Sequence, residues 1–190
     1  MSTRSPRADA QRNIDALLTA ARTMFARDGV DAHVKAIAEE ARVGVATLYR
    51  HFPKRSDLVL AVLSHEVSEC IATATALSNT YPPRTAMTKW VDRYTEFVAT
   101  KRGLAAALHS GDPTFEGLGT RLLRQLEPAL AGLLDAARET GEIRSDVSAD
   151  DLLRAVARLC VPGPGRKGEA FSRRMVGLLL DGLSHQHEEA

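Results

Sequence analysis

Two short segments between residues 33 and 55 constrain the fold more than any other part of the chain. Apolar or small residues at positions 34, 37, 38 and 41 have the spacing of one face of a helix. Arg42-Val43-Gly44 interrupts this pattern, and a second short helix is predicted from Val45 to His51, with Pro53 ending it. Helices this short are unstable alone, so both must pack on helices outside the segment. Small residues where the helices cross and an apolar residue in the turn are typical of a helix-turn-helix.

The rest of the chain also has helical periodicity, and no alternating run rich in β-branched residues indicates a strand. We therefore expect an all-α fold of about nine helices. Besides the two short ones, helices are predicted at approximately residues 9–27, 56–77, 85–101, 104–109, 115–141, 148–160 and 169–184. Pro128 predicts a kink or a division in the longest of them. We expect a three-helix head at residues 1–52 and a C-terminal helical bundle at residues 53–190.

The charge of the chain is divided unevenly. Residues 1–55 contain ten Lys or Arg and six Asp or Glu, whereas the remainder contains 15 basic and 18 acidic residues. A basic head on a mildly acidic body suits binding to phosphate groups. No apolar run is long enough to span a membrane, and the N-terminus lacks the apolar stretch of a signal peptide. We therefore expect a cytoplasmic protein with no membrane partner.

Several classes of chemistry have no residues to carry them. No nucleophile elbow, phosphate loop, zinc signature or redox pair occurs, so we expect neither an enzyme nor a cofactor. Cys70 and Cys160 lack metal-ligand spacing and are predicted to be buried thiols. His185 and His187 lie beside two glutamates and offer ligands for a metal, but a frayed tail is the interpretation we favour. No metal site is predicted.

The second short helix has one apolar side and one side rich in hydrogen-bond donors. Leu48 and Phe52 are predicted to face the core, and the residues left for solvent are Val45, Ala46, Thr47, Tyr49, Arg50 and His51. Hydroxyl, imidazole and guanidinium groups donate to phosphate oxygens, and a helix fits the major groove of DNA. The pattern favours DNA binding. Two alternatives stay open: Tyr49 as a core residue, and Lys35 of the first short helix as a solvated cation.

The same region resembles the DNA-binding head of the TetR (tetracycline-repressor) family of bacterial transcriptional regulators. The resemblance is carried by Ile37-Ala38, Ala41, Val43, Thr47-Leu48-Tyr49 and His51-Phe52-Pro53, preceded by Phe25-Ala26-Arg27-Asp28-Gly29-Val30. Residues 97–108 also resemble the SbtR-like type of C-terminal domain. The resemblance implies that residues 53–190 are a ligand-sensing and dimerisation domain. It also implies a repressor that binds a palindromic operator as a homodimer, pairs through its last two helices, and is released by a small-molecule effector.

The resemblance also implies roles for individual residues. Thr47, Tyr49 and His51 match contact positions, the latter two on phosphates, and Arg55 stands where the family often has a phosphate-binding Lys. For base readout the best candidates are Lys35, Val45 and Arg50, since Lys and Arg favour guanine edges and Val can contact a thymine methyl group. The complete predicted DNA-binding set is His33, Lys35, Gly44, Val45, Ala46, Thr47, Tyr49, Arg50, His51 and Arg55.

Three residues depart from the family pattern. Arg42 replaces the usual turn glycine, so a strained positive φ is expected there. Gly44 replaces a capping Ser or Thr, and His33 replaces a Thr that often binds phosphate. These departures predict weaker DNA binding than is typical. They leave open an alternative, an all-α small-molecule binding or scaffolding protein whose head has lost DNA binding.

An aromatic stripe in the fifth predicted helix has two interpretations. Met87, Trp90, Tyr94 and Phe97 recur at helical spacing, which is typical of an ordinary core. The resemblance implies instead that the middle helices enclose an effector cavity. The candidate lining residues are Trp90, Tyr94, His109 and Phe115.

Overall fold

A computed structural model describes residues 6–144, 146–160 and 168–184. Nine α-helices occur in these residues, and no strand is assigned there; only an isolated antiparallel bridge joins Ile143 and Ser184. The helices are α1 (Pro6–Asp28), α2 (Val34–Glu40), α3 (Val45–His51), α4 (Arg55–Ser78), α5 (Pro83–Gly103), α6 (Ala105–Leu108), α7 (Leu118–Glu139), α8 (Ala149–Leu159) and α9 (Gly168–Asp181), with a 3₁₀ turn at Pro113–Phe115. The all-α prediction is confirmed.

Contacts divide the chain into two compact units. The first unit is Met1–Glu66 with Thr100–Glu116, and the second is Val67–Ala99 with Gly117–Ala190. The first unit thus includes the start of α4 and a later segment in addition to the predicted head. The predicted domain boundary at residue 52 stays a prediction.

The core of the first unit forms where α1, α3 and α4 contribute apolar side chains around α2. α2 packs against both α1 and α3. Within the parts of these four helices that belong to the first unit, the side chains with at most 2% exposure are Leu17, Ala21, Phe25, Ile37, Ala38, Leu48, Leu58, Val59, Val62 and Leu63. Their spacing of three and four residues within each helix is what the sequence pattern predicts. α4 is long and apolar enough to cross a membrane by composition alone, but 44% of its most apolar window is buried within the fold.

The turn between α2 and α3 departs from ordinary helix geometry at one residue. Arg42 has φ of +55°, which confirms the expected left-handed conformation. The amide of Val43 still bonds to the Ala38 carbonyl at 2.9 Å, so the end of α2 is closed by backbone hydrogen bonds. Gly44 then has an extended backbone and precedes α3 without a side-chain cap.

The second unit contains the longest run of buried leucines. Leu118, Leu122, Leu126 and Leu130 of α7 are all at most 4% exposed, and α7 packs against α8, which in turn packs against α9. α7 runs unbroken through Pro128, so of the two predicted alternatives the division into two helices is wrong and the kink stays a prediction. Pro128 is exposed, and the buried leucines on both sides hold the helix together despite the missing backbone donor.

Two helix starts in the second unit have local causes. The hydroxyl of Ser148 accepts a hydrogen bond from the Asp151 amide at 3.1 Å, which confirms the predicted N-terminal cap of α8. α7 begins three residues later than predicted, because Gly117 adopts a left-handed φ of +62° after the 3₁₀ turn. Both cysteines are buried thiols, as predicted.

We expect Arg42→Gly to stabilise the protein. Glycine adopts positive φ without the steric cost that a Cβ atom causes, so the free energy of unfolding should rise by about 0.5–1 kcal/mol and the melting temperature by roughly 2 °C. Thermal unfolding followed by circular dichroism measures the change. Arg42→Ala is the matched control, because it removes the charge but keeps the Cβ atom. Equal stabilisation by both variants would show that the charge, not the backbone, is responsible.

Candidate nucleic-acid interface

α3 presents one buried face and one exposed face. Leu48 is 1% exposed and Phe52 is half-buried, whereas Tyr49 is 52% exposed and Arg50 is also exposed. The interpretation of Tyr49 as a core residue is therefore wrong. The remaining predicted contact residues of α3 are accessible to different degrees: Ala46 is exposed, and Val45, Thr47 and His51 are half-buried.

Three helices bring four of the predicted residues to one open cleft. His33 and Lys35 come from the start of α2, Tyr49 from α3 and Arg55 from the first position of α4. The cleft has a volume of about 550 Å³ and also includes Glu39. This arrangement joins the start of α2 to the exposed face of α3, and it places imidazole, ammonium and phenol groups on one surface.

The charges at this surface are not all positive. The Lys35 ammonium lies 3.8 Å from a carboxylate oxygen of Glu39, one helical turn away, and both side chains are mostly exposed. An exposed ion pair of this kind is worth at most about 1 kcal/mol. The carboxylate would nevertheless oppose an approaching phosphate. The sequence contains the spacing for this pair, but Glu39 was not among the predicted site residues.

The Arg55 guanidinium has protein partners. Its Nε donates to the Val30 carbonyl at 2.5 Å and one terminal nitrogen donates to the Ala32 carbonyl. The group also lies 6.0 Å from the centroid of the Phe25 ring. No local sequence signal indicates these contacts, because the partners are 23 and 25 residues away along the chain. The phosphate contact predicted for Arg55 stays a prediction.

Backbone geometry at His33 and Gly44 is the same. Both residues precede a short helix with φ near −65° and an extended ψ, and neither helix has a side-chain cap. His33 and Gly44 are both exposed. Their predicted contacts with DNA stay predictions.

The candidate effector residues do not share one environment. In the second unit, Trp90 is fully buried and donates from Nε1 to the Cys70 carbonyl at 2.7 Å, and Tyr94, 1% exposed, donates to the Leu153 carbonyl at 3.1 Å. The two rings stack with centroids 5.8 Å apart.

These contacts give the aromatic pair the properties of a satisfied core. Burial raises the pKa of the Tyr94 hydroxyl well above its ordinary value, so it remains a neutral donor. In the first unit, His109 is exposed and Phe115 is buried. An effector site formed from these four residues stays a prediction.

No cluster of three or more potential metal ligands occurs within residues 6–144, 146–160 and 168–184. The histidine-containing tail from His185 lies outside the described residues.

Family models match both parts of the chain. The model for "Bacterial regulatory proteins, tetR family" matches residues 17–62. The model for "Transcriptional regulator SbtR-like, C-terminal domain" matches residues 82–185. The first match contains the cleft residues of α2, α3 and α4.

Solved structures with the same architecture include two of high similarity. The TetR transcriptional regulator SCO0520 from Streptomyces coelicolor is 34% identical, with a TM-score of 0.76 over 91% of this chain and 99% of that chain. A TetR transcription regulatory protein from Mycobacterium vanbaalenii is 29% identical, with a TM-score of 0.76 over 95% of this chain and 100% of that chain. No curated protein matches the chain.

We expect Glu39→Gln to strengthen binding to duplex DNA at low salt by about twofold to fivefold, because it frees Lys35 and removes a negative charge from the cleft. Fluorescence anisotropy with a labelled random-sequence duplex measures the affinity. Glu40→Gln is the matched control, since Glu40 is an exposed neighbour in α2 that does not line this cleft. If both variants gain equally, the effect is one of net charge and the ion pair with Lys35 is irrelevant.

Proposed function

Because the chain belongs to the TetR family of bacterial transcriptional regulators and is a DNA-binding regulator of that family, we propose that it is a cytoplasmic repressor. It binds a palindromic operator as a homodimer, and a small-molecule effector releases it. The observation that carries the proposal is the exposed face of α3, where Tyr49 projects beside Arg50 at the edge of the cleft that contains His33 and Lys35.

The proposed contacts divide into two kinds. Tyr49 and His51 donate to phosphate oxygens and set the register of α3 on the duplex, together with Thr47. Lys35 and Arg50 read guanine edges in the major groove. The other proposed contributors are His33, Gly44, Val45 and Ala46, which lie at the starts of α2 and α3.

A homodimer is supported by the two apolar sides of α9. One side, formed by Ser172, Val176 and Leu180, is buried within the unit, as is Leu183 just after the helix. An adjacent stripe of apolar or small residues is only half-buried or exposed, and consists of Phe171, Met175, Leu178, Leu179 and Gly182. Leu178 is 60% exposed. An exposed apolar stripe beside a buried one is typical of a helix that packs in a dimer. Within the same unit, α8 packs against α9, so the last two helices are neighbours.

Release follows from a shift in population. Two heads held about one helical turn of DNA apart bind both half-sites, and a ligand that prefers a different spacing lowers the DNA affinity. A ligand that breaks the hydrogen bond of Trp90 or Tyr94 to its carbonyl must offer an acceptor in place of that carbonyl. A buried donor left without a partner costs about 1–3 kcal/mol. No catalytic step is part of this proposal.

Operator binding is tested with the full chain. Selection from random-sequence duplexes should enrich a palindrome, and the double variant Tyr49→Phe, His51→Ala should bind the selected duplex about 10- to 100-fold more weakly, because two donors to phosphate are lost. Tyr81→Phe is the matched control for the loss of a hydroxyl group, since Tyr81 is an exposed tyrosine outside the cleft. If the parent enriches no sequence, or the double variant binds as the parent does, the small-molecule binding or scaffolding alternative is favoured.

Repression and release use the same duplex. Placed over a promoter in transcription in vitro, it should give less transcript when the protein is added, and an increase would contradict a repressor. Compounds that raise the melting temperature of the protein are then added to the DNA complex. An effector should both stabilise the protein and dissociate the complex, and a stabilising compound that leaves the complex intact does not have that role.

We expect Leu178→Asp to convert the dimer to a monomer, because a carboxylate would be buried in the apolar interface. Sedimentation equilibrium measures the mass. Ala170→Asp is the control, as Ala170 is exposed near the start of α9, outside the apolar stripe. If the parent protein sediments only as a monomer, the proposed homodimer is wrong. If the Leu178→Asp variant is still a dimer, the interface does not include this stripe.

A further inference from the structure

Building on the proposed operator binding, we infer that Arg55 is a positioning residue: it fixes the start of α2 against the start of α4 and thereby sets the geometry of the DNA-binding surface. This role differs from the phosphate contact that the family resemblance implies for the same position. It rests on the hydrogen bonds that the guanidinium makes inside the first unit.

The guanidinium makes contacts that suit its planar shape. Nε and a terminal nitrogen donate to the carbonyls of Val30 and Ala32, two residues apart in the loop between α1 and α2. Phe25 lies beside the same group, and Arg55 is half-buried. A guanidinium presents several donors in a rigid plane, whereas a lysine ammonium is a single compact charge. The contact with two carbonyls is therefore specific to arginine.

The loop that receives these hydrogen bonds is itself well defined. Gly29 has φ of +73° and its amide bonds to the Phe25 carbonyl at 3.1 Å. The Ala32 amide bonds to the Gly29 carbonyl at 3.3 Å, and Ala32 is 4% exposed. His33 follows directly and accepts the first helical hydrogen bond, from the Ile37 amide at 3.1 Å. The Arg55 contacts therefore end at Ala32, two residues before α2 begins at Val34.

The hydrogen bonds of Arg55 connect the start of α2 to the residues that follow the end of α3. These are the two ends of the helix-turn-helix that the turn at residues 42–44 leaves unconnected. Residues 42–44 join the end of α2 to the start of α3. Three residues separate the end of α3 from Arg55, and the Asp57 carboxylate holds the first turn of α4 by accepting from the Lys54 amide at 2.9 Å. Arg55 then links this point to the start of α2. The pair of short helices is thus held at both ends, by the chain at one and by hydrogen bonds at the other.

The functional consequence concerns the cleft. His33 and Lys35 follow the anchored carbonyl of Ala32 by one and three residues, and they share the cleft with Tyr49 of α3. Without the anchor, the groups on α2 lose their fixed position relative to those on α3. Affinity for DNA should fall although no phosphate contact has been removed.

The test measures how DNA binding by the full-length protein depends on salt. The probe is the operator selected above, and the variants are Arg55→Lys, which keeps the charge, and Arg55→Gln. Both should bind about tenfold more weakly than the parent, because both lose the pair of charge-assisted hydrogen bonds. The slope of log affinity against log salt should stay at the parent value for both variants. Lys54→Gln is the control for removing an exposed positive charge next to Arg55.

Hydrogen exchange of the DNA-free protein is the second measurement. The amides of Ala32 and Ile37 should exchange faster in Arg55→Lys, while that of Leu180 in α9 should be unchanged. Parent-like exchange at Ala32 and Ile37 would overturn the inference whether or not DNA binds. If the parent binds no duplex, operator binding itself has failed.

Two further outcomes would overturn the positioning role. In the first, Arg55→Lys binds as the parent does and Arg55→Gln lowers the salt slope by about 0.9. This result would show that the charge of Arg55 contacts a phosphate in the parent protein. If exchange is faster but DNA affinity is unchanged, the residue stabilises the loop without positioning the DNA-binding groups.

Discussion

The core shared by α1, α2, α3 and α4 is the constraint on which the DNA-binding surface depends. α2 and α3 have seven residues each, well below the roughly 12–15 residues at which an isolated helix becomes marginally stable in water. Their stability therefore comes from burial, and full burial of Ile37 and of Leu48 contributes about 1.5–3 kcal/mol each. Because these residues satisfy the folding requirement, the outward positions of α3 are free to carry groups chosen for recognition.

The connections within the head are less favourable than its core. Arg42 adopts a conformation that suits glycine, and His33 and Gly44 begin helices without a side-chain cap. A missing side-chain cap commonly costs about 1 kcal/mol, but only about a few tenths of a kcal/mol where glycine occupies the position, so the start of α2 at His33 is the less favourable of the two. The α2–α3 pair is held at one end by the turn and at the other by the hydrogen bonds of Arg55. These two connections limit the movement of α2 and α3 that the strained turn and the uncapped helix starts would otherwise allow. The cleft geometry then depends on long-range contacts as much as on helix propensity.

The sequence predicted best those features that depend on neighbours along the chain. The bounds of α3 and the opposite faces of Leu48 and Tyr49 follow from helical periodicity, and the cap at Ser148 follows from a local pattern. Arg55 shows the limit. The sequence indicated a cation at the start of α4, but its hydrogen bonds reach carbonyls 23 and 25 residues away, and periodicity does not encode which distant carbonyl lies nearby.

The second unit shows the same limit. Helical spacing predicts that Trp90 and Tyr94 lie on one face, but their hydrogen-bond partners are 20 and 59 residues distant. An empty cavity and a satisfied core give the same stripe of aromatic residues in a sequence. The positions of the Cys70 and Leu153 carbonyls show that the donors of Trp90 and Tyr94 are already bonded within the protein. The sequence does not reveal these positions.

α4 gives the proposed release a physical scale. It begins at Arg55 and contains Cys70, whose carbonyl accepts a hydrogen bond from Trp90. A ligand that lowers DNA affinity a hundredfold must prefer the released conformation by about 2.7 kcal/mol. One or two buried hydrogen bonds are worth that much. In the proposed release, a ligand that leaves the buried Trp90 donor with a partner in only one of the two conformations would therefore supply a free energy of that size.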